Sequence, residues 1–287
     1  MHSTSIQAQP IKSFELLSAI TMGKATKHDL VAELSRLDLN ISYSKLLEEK
    51  QTNINSSFVQ RVPQVPFYLN GTFYEPKDIK HFNGQELHFV PALSEDLMLV
   101  VDNIELINYW MILVYHELFG YQKMRQLPEI PTPGSVGNPG SAGEGDLAPA
   151  PGFGLSLPPY NVPYITRFFT GTNYYGYKLE LSHSYSQQPT YLPDLRKLFL
   201  SPSGFIFHGV HENWDKQISS FYHTGAVNCQ LYEDYQFKGS SISFLSKFYR
   251  IPDLLRFGWD NRASSLRHWR DDFKPGWIGY DSGMIVG

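Results

Sequence analysis

The chain has little of what usually announces a chemistry. Its 287 residues include one cysteine, Cys229. A lone cysteine forms no internal disulfide, so neither a disulfide framework nor an oxidising compartment is implied. Its setting, Val227-Asn228-Cys229-Gln230-Leu231, reads as a strand, where a small buried apolar side chain is expected rather than a nucleophile. Charged residues are sparse at 18%, with a net charge of −4 and a pI near 6.2. Lysine and arginine are not clustered, which excludes a phosphate-neutralising surface and with it nucleic-acid binding. The glycine-rich stretch carries no Gly-Lys-Ser/Thr, and there is no Gly-x-Ser-x-Gly elbow. His116-Glu117-Leu118-Phe119-Gly120 begins like a zinc-protease helix but lacks the second histidine.

Long apolar runs are also missing. Met1-His2-Ser3-Thr4-Ser5-Ile6 has no basic region leading into an apolar one, so no secretory signal is read there. The most apolar stretch, from Leu97 to Phe119, contains Asp102, Glu105 and Glu117. Carboxylates at membrane depth are costly, so a buried helix or strand pair is expected and no transmembrane span. A cytoplasmic location follows, with export by an unannounced route left open.

What the chain has in excess is aromatics, 15% of residues, which favours pleated, half-buried surfaces. It divides into parts. Residues 127–162 are dominated by Pro, Gly, Ser and Ala; such a stretch buries too little apolar surface to offset its ordering entropy and reads as a linker between independently moving units. Residues 1–126 read as a small α+β domain of unknown function. Ile11, Phe14, Leu16, Leu17 and Ile20 form a helical stripe ending near Gly23. Thr26, three residues before Asp29, marks a second helix start, followed by Leu30, Val31, Leu34 and Leu37. Phe67-Tyr68-Leu69, Asn70-Gly71 and Thr72-Phe73-Tyr74 predict a hairpin, and Asn83-Gly84 within Phe82–Val90 predicts another. Residues 163–270 read as all-β, and 271–287 as a tail.

Two segments of the second half follow one template: Phe169-Thr170-Gly171-Thr172-Asn173-Tyr174-Tyr175-Gly176 and Tyr232-Glu233-Asp234-Tyr235-Gln236-Phe237-Lys238-Gly239. Each has an aromatic, another five positions on, and glycine two further. Each is followed by a second signature, Trp214-Asp215-Lys216-Gln217-Ile218-Ser219-Ser220 and Trp259-Asp260-Asn261-Arg262-Ala263-Ser264-Ser265. This alternation resembles a single βγ-crystallin domain of the microbial type, two Greek-key motifs folded into a β-sandwich, over residues 163–270. An insertion around His183–Pro202 accounts for the longer first motif.

The resemblance implies a folded hairpin at each glycine and a calcium clamp at each Asp-rich loop. In the family each site mixes clamp oxygens of one motif with a serine-type hydroxyl of the other, plus a hairpin backbone carbonyl. Calcium is hard and takes six to eight oxygens, a set that loops dense in Asp, Asn and Ser can supply. The expected metal positions are Asp260, Asn261, Arg262 and Ser264 in the second clamp, Asp215, Gln217 and Ser219 in the first, and Thr170 and Glu233 at the hairpins. The second clamp fits fully. In the first, Lys216 stands where Asn or Asp belongs, and an ammonium only donates. One good site and one weakened site are expected. Against this stands the reading that such Asp, Asn and Ser side chains only cap turns, with no metal.

The function implied is that of a non-enzymatic calcium-binding protein with a structural or stress-protective role. A second reading is an interaction or toxin-like protein in which the crystallin domain positions residues 1–126 for an unidentified protein partner. A third is an enzyme with a site in residues 1–126, where no nucleophile, base and orienting group stand out. His208, His211 and Glu212 read as a solvated group, and Trp269, Trp277 and Tyr280 as a tail packed on the domain.

Overall fold

A computed structural model describes residues 12–37, 41–48, 59–92, 94, 96–124, 164–183, 190–198, 200, 213–224, 227–245 and 250–270. The sequence signals of the first half resolve into helices α1 (Lys12–Thr21) and α2 (Lys27–Ser35), a short α3 (Ser44–Leu47), strands β1 (Phe67–Leu69), β2 (Thr72–Tyr74), β3 (His88–Pro91) and β4 (Met98–Val101), and a long helix α4 (Ile104–Met124). α2 begins as expected. The Thr26 N–H and hydroxyl both donate to Asp29 Oδ2, at 2.7 and 2.9 Å, satisfying the first turn. α1 is capped from a distance: the Lys12 and Ser13 N–H groups donate to the two carboxylate oxygens of Glu117, at 2.6 and 2.9 Å. That gives Glu117 a structural role, since a carboxylate at a helix N-terminus meets free N–H donors and the positive end of the dipole.

Asn70 and Gly71, both at positive φ (49° and 82°), make the tight turn between β1 and β2. The second Asn-Gly behaves differently. Asn83-Gly84 ends a 3-10 helix, Pro76–Phe82, and leads into β3; no hairpin forms there. Pro76 favours the helical first turn, and Asn83 Oδ1 is committed to the Gln60 N–H at 2.8 Å. The apolar stretch from Leu97 splits into β4 and α4. Among the described residues no helix is long and apolar enough to cross a membrane. α4 packs on α1 through Trp110, which is fully buried, meets Phe14 edge-on at 5.0 Å and donates its Nε1–H to Ser13 O at 2.7 Å. Truncating such a residue costs about 3–5 kcal/mol.

The second half contains β5 (Tyr164–Phe169), β6 (Lys178–His183), β7 (Thr190–Leu192), β8 (Ser220–Thr224), β9 (Val227–Tyr232), β10 (Ser241–Phe244), β11 (Arg250–Ile251) and β12 (Ser265–Arg270). One sheet has the order β11-β8-β5-β6. The other ends β10-β9-β12-β7. Each four-strand set therefore takes three strands from one repeat and the third strand of the other, which is the exchange that defines a double Greek key. Phe168, Phe221, Phe244 and Phe257 pack between the sheets, with Phe221 and Phe244 centroids 4.9 Å apart. Trp269 lies in β12 and is buried, so it belongs to the sandwich and not to a tail. His208, His211, Glu212, Trp277 and Tyr280 lie outside the described residues.

The Pro/Gly composition of 127–162 suggests independent movement of its neighbours, but the strands before and after that stretch share one sheet. β3 pairs in parallel with β10, Ser241 opposite His88 and Ile242 opposite Phe89, giving the order β2-β1-β4-β3-β10-β9-β12-β7. The seam is bonded as well as packed. His88 Nδ1 lies 3.0 Å from Ser241 Oγ, the Leu87 N–H donates to Ser240 Oγ at 3.2 Å, and Arg256 pairs with Asp96 at 2.7 Å. The chain is thus an α+β region whose strands extend one sheet of a β-sandwich.

Candidate metal centre at the paired loops

The two repeats share the main bonds of their hairpins and loops. Asn173 and Tyr174 (φ 54° and 65°) correspond to Gln236 and Phe237 (φ 55° and 60°), each pair at the tip of a folded hairpin. The Asn173 N–H donates to Pro252 O at 2.7 Å, and the Gln236 N–H to Pro193 O at 2.8 Å. The last serine of each loop ties its hairpin down: Ser220 Oγ donates to Gly171 O, Ser265 Oγ to Asp234 O, both at 2.6 Å. Gly176 (φ 91°) and Gly239 (φ 74°) close the hairpins in a region that favours glycine. A Cβ on Gly176 would collide with Thr170 Oγ1.

The loops are crossed in the same two-fold way. The Lys216 N–H donates to Ala263 O at 2.8 Å and the Asn261 N–H to Ile218 O at 3.0 Å. Lys216 and Asn261 are equivalent, both left-handed (φ 55° and 52°). The correspondence of Asp194 with Asp253, each accepting from the N–H two residues on, also locates the extra length of the first repeat. Twenty-one positions separate Asp194 from Asp215, against seven from Asp253 to Asp260. Most of the insertion therefore follows β7, later than His183.

This crossing sorts the expected ligands into two groups. In the first, Ser219 Oγ donates to Asn261 Oδ1 at 3.1 Å, beside the first hairpin, whose Phe169 O accepts the Ser219 N–H at 2.9 Å. Thr170 follows Phe169, and its hydroxyl accepts the Tyr177 N–H at 3.0 Å. In the second group Ser264 sits beside the second hairpin, its N–H on Tyr232 O at 2.8 Å, and the two-fold places Lys216 opposite it where Asn261 stands opposite Ser219. Among the described residues Ser264 Oγ is buried without a hydrogen-bond partner. So the serine of each loop meets the other loop's second residue, and the two halves of the chain's best signature fall apart: Asn261 is with Thr170, while Glu233 is with Lys216.

The acidic residues add to both groups. Asp215 Oδ1 and Asp260 Oδ1 are buried with no hydrogen-bond partner among the described residues, while their other oxygens accept from Tyr235 (3.2 Å) and Asn261 Nδ2 (3.2 Å). A buried, unpaired carboxylate oxygen is costly unless a cation meets it. The 3.1 Å between Ser219 Oγ and Asn261 Oδ1 is a hydrogen bond that the two groups make without an ion; the donor set, a hydroxyl, an amide oxygen and the Asp260 carboxylate, is of the kind a hard cation takes. No cluster of three or more His, Cys, Asp or Glu occurs among the described residues, so any such site must add hydroxyl, amide and carbonyl oxygens to its aspartate.

Two expected ligands do something else with their side chains. Arg262 is 2% exposed and donates to Glu233 Oε2 at 2.9 Å and to Gln60 Oε1 at 3.1 Å, with its guanidinium 4.7 Å from the Trp259 ring. One carboxylate oxygen of Glu233 is therefore committed to a buried arginine, and Arg262, whose side chain only donates, can offer an ion nothing but its carbonyl. This hub was invisible in the motif, where Arg262 is merely a variable position. Nearby, Asp234 has its carboxyl held above the usual range, chiefly by burial and then by the Glu233 charge. Cys229 is buried and its thiol is pushed strongly up by desolvation, far from any nucleophilic state.

No family model matches the chain. No curated protein matches it either. Several solved structures do. A βγ-crystallin domain from Flavobacterium johnsoniae is 24% identical over 38% of this chain and 98% of that one, with a TM-score of 0.25. A βγ-crystallin domain from Clostridium beijerinckii is 17% identical over 37% and 97%, with a TM-score of 0.26. An archaeal βγ-crystallin is 15% identical over 38% and 100%, with a TM-score of 0.26. On its own strand exchange, paired hairpins and crossed loops, the second half of this chain is a βγ-crystallin-like domain.

Proposed function

We propose that the chain is a non-enzymatic calcium-binding protein with one competent site, at Ser219 and Asn261, and a structural or stress-protective role. The observation that carries this reading is the approach of Ser219 Oγ to Asn261 Oδ1 across the two-fold, at 3.1 Å, with Asp260 Oδ1 of the adjacent residue buried and without a partner among the described residues. Asn261, Asp260 and Ser219 supply side-chain oxygens, and the carbonyls of Arg262 and Thr170 complete the protein's share. The group at Ser264, Asp215, Gln217 and Glu233 is weaker because Lys216 brings a positive charge and no acceptor. A cation held only by the folded form stabilises it by mass action, about 2.7 kcal/mol at a hundredfold excess over Kd.

The test is a thermal melt with and without calcium. The melting temperature of the natural chain rises with calcium, and the rise disappears in Asn261→Ala. An equal rise in both forms removes the site from these residues.

A second reading, a domain that positions residues 1–126 for a protein partner, is favoured by the β3–β10 pairing, which fixes one half against the other. It predicts partner binding that is lost when the seam is weakened from the β3 side by His88→Ala, which removes the ring that meets Ser241 Oγ, while calcium binding persists.

A further inference from the structure

The second clamp has a protein cation already seated on it. Arg61, in the segment leading to β1, donates through Nη1 to Asp260 O and through Nη2 to Asn261 O, the latter at 3.2 Å. The contact is built from several sides. Gln64 N–H donates to Arg256 O at 2.8 Å, and Gln60 Oε1 takes Arg262 from the same loop at 3.1 Å. Gly258, left-handed at φ 70°, leaves the space: a Cβ there would lie 2.8 Å from Arg61 O. Phe89 of β3 meets Trp259 at 6.1 Å. The segment from Gln60 to Gln64 is thus laid along residues 256–262, and the loop that would hold the ion is also the loop that holds the first half of the chain.

We propose that Arg61 is an internal competitor of the cation at Ser219 and Asn261, so that ion binding and docking of residues 60–64 oppose each other. This rests on the calcium reading above. The guanidinium bonds the carbonyl of the residue whose side chain carries Asn261 Oδ1. It pins the Asp260 and Asn261 peptides in their present orientation, and it places a permanent positive charge a few ångströms from where a divalent ion would sit. An exposed arginine fork is easily displaced, so the lock is weak and reversible. Calcium then does two things in this chain: it stabilises the sandwich and loosens the strap that ties the first half to it. By linkage the effect is reciprocal, and a docked strap lowers calcium affinity by the same factor that calcium lowers docking.

The experiment uses the full chain. Calcium titrations by calorimetry compare the natural protein with Arg61→Gln and Arg61→Lys. Arg61→Gln binds about tenfold tighter, the size expected when a unit charge near a divalent ion is removed in a partly screened site. Arg61→Lys falls between, keeping the charge but losing the fork. In the natural protein, amide hydrogen exchange over residues 60–64 speeds up on adding calcium. If the natural protein binds calcium and Arg61→Gln binds it equally well or more weakly, the competition is overturned while the site stands. If neither form binds calcium, both the site and the competition fall.

Discussion

Ser219 Oγ reaches Asn261 Oδ1 at 3.1 Å, so the serine of one loop is served by the asparagine of the other. At the equivalent position the two-fold sets Ser264, whose hydroxyl has no hydrogen-bond partner among the described residues, across from Lys216, whose side chain has no oxygen. Among the loop positions expected to offer a side-chain oxygen to an ion, the two sites differ at one, Lys216 against Asn261, and that difference is repairable. Lys216→Asn should convert the single calcium-binding event into two. Calorimetry reads the stoichiometry; a variant that still binds one ion would mean that Glu233, held by Arg262, is the missing piece instead.

Arg262 is the buried hub of the seam. Its guanidinium joins Glu233 on the second hairpin and Gln60 of the first half, and it is 2% exposed against 17% for Glu233. Removing one partner of such a pair leaves the other uncompensated. Arg262→Ala should lower stability by about 3 kcal/mol in urea denaturation. Arg262→Met, which keeps packing against Trp259, should recover part of the loss. An unchanged midpoint for Arg262→Ala would show that solvent already screens the pair.

Asp234 makes a pH-dependent contribution of the opposite sign to a salt bridge. Its folded-state pKa is raised above 3.8, first by burial and then by Glu233. The fold therefore prefers the protonated acid: the associated stability is full below 3.8 and is lost as pH rises through the raised value. Asp234→Asn removes that loss. Its melting temperature should exceed that of the natural chain at neutral pH, and the two should converge as pH falls to about 3.8. A difference of constant size across that range would assign the effect to shape instead of charge.

Cys229 lies in β9, pairing with Phe244 and His268 on its two sides, and burial holds its thiol protonated. Alkylation by iodoacetamide should be slow in the native protein and rapid in denaturant. Native labelling at the rate of a free thiol would mean that β9 opens readily.

Much of this was legible in the sequence for local reasons. The Thr26–Asp29 capping box, the Asn70-Gly71 turn and the paired hairpin and loop signatures each depend on residues a few positions apart. Asn83-Gly84 carries the same dipeptide as the first turn, but Pro76 sets a 3-10 helix before it, so the hairpin expected there is absent. Glu117 sits in an abortive zinc motif and turns out to cap a helix a hundred residues away. The pairing of β3 with β10 and the grip of Arg61 on residues 260 and 261 join positions more than 150 apart, and no short-range pattern encodes them. The family resemblance named the candidate oxygens and implied that one loop's serine meets the other loop's oxygens, as Ser219 and Asn261 do; the ion pair of Glu233 with Arg262 had no counterpart in the motif.

The most direct test is a calcium titration of the full chain beside Ser219→Ala and Ser264→Ala. One binding event in the natural protein, abolished by Ser219→Ala and kept by Ser264→Ala, is the predicted result. Two equal events, or loss with Ser264→Ala and not with Ser219→Ala, would contradict it.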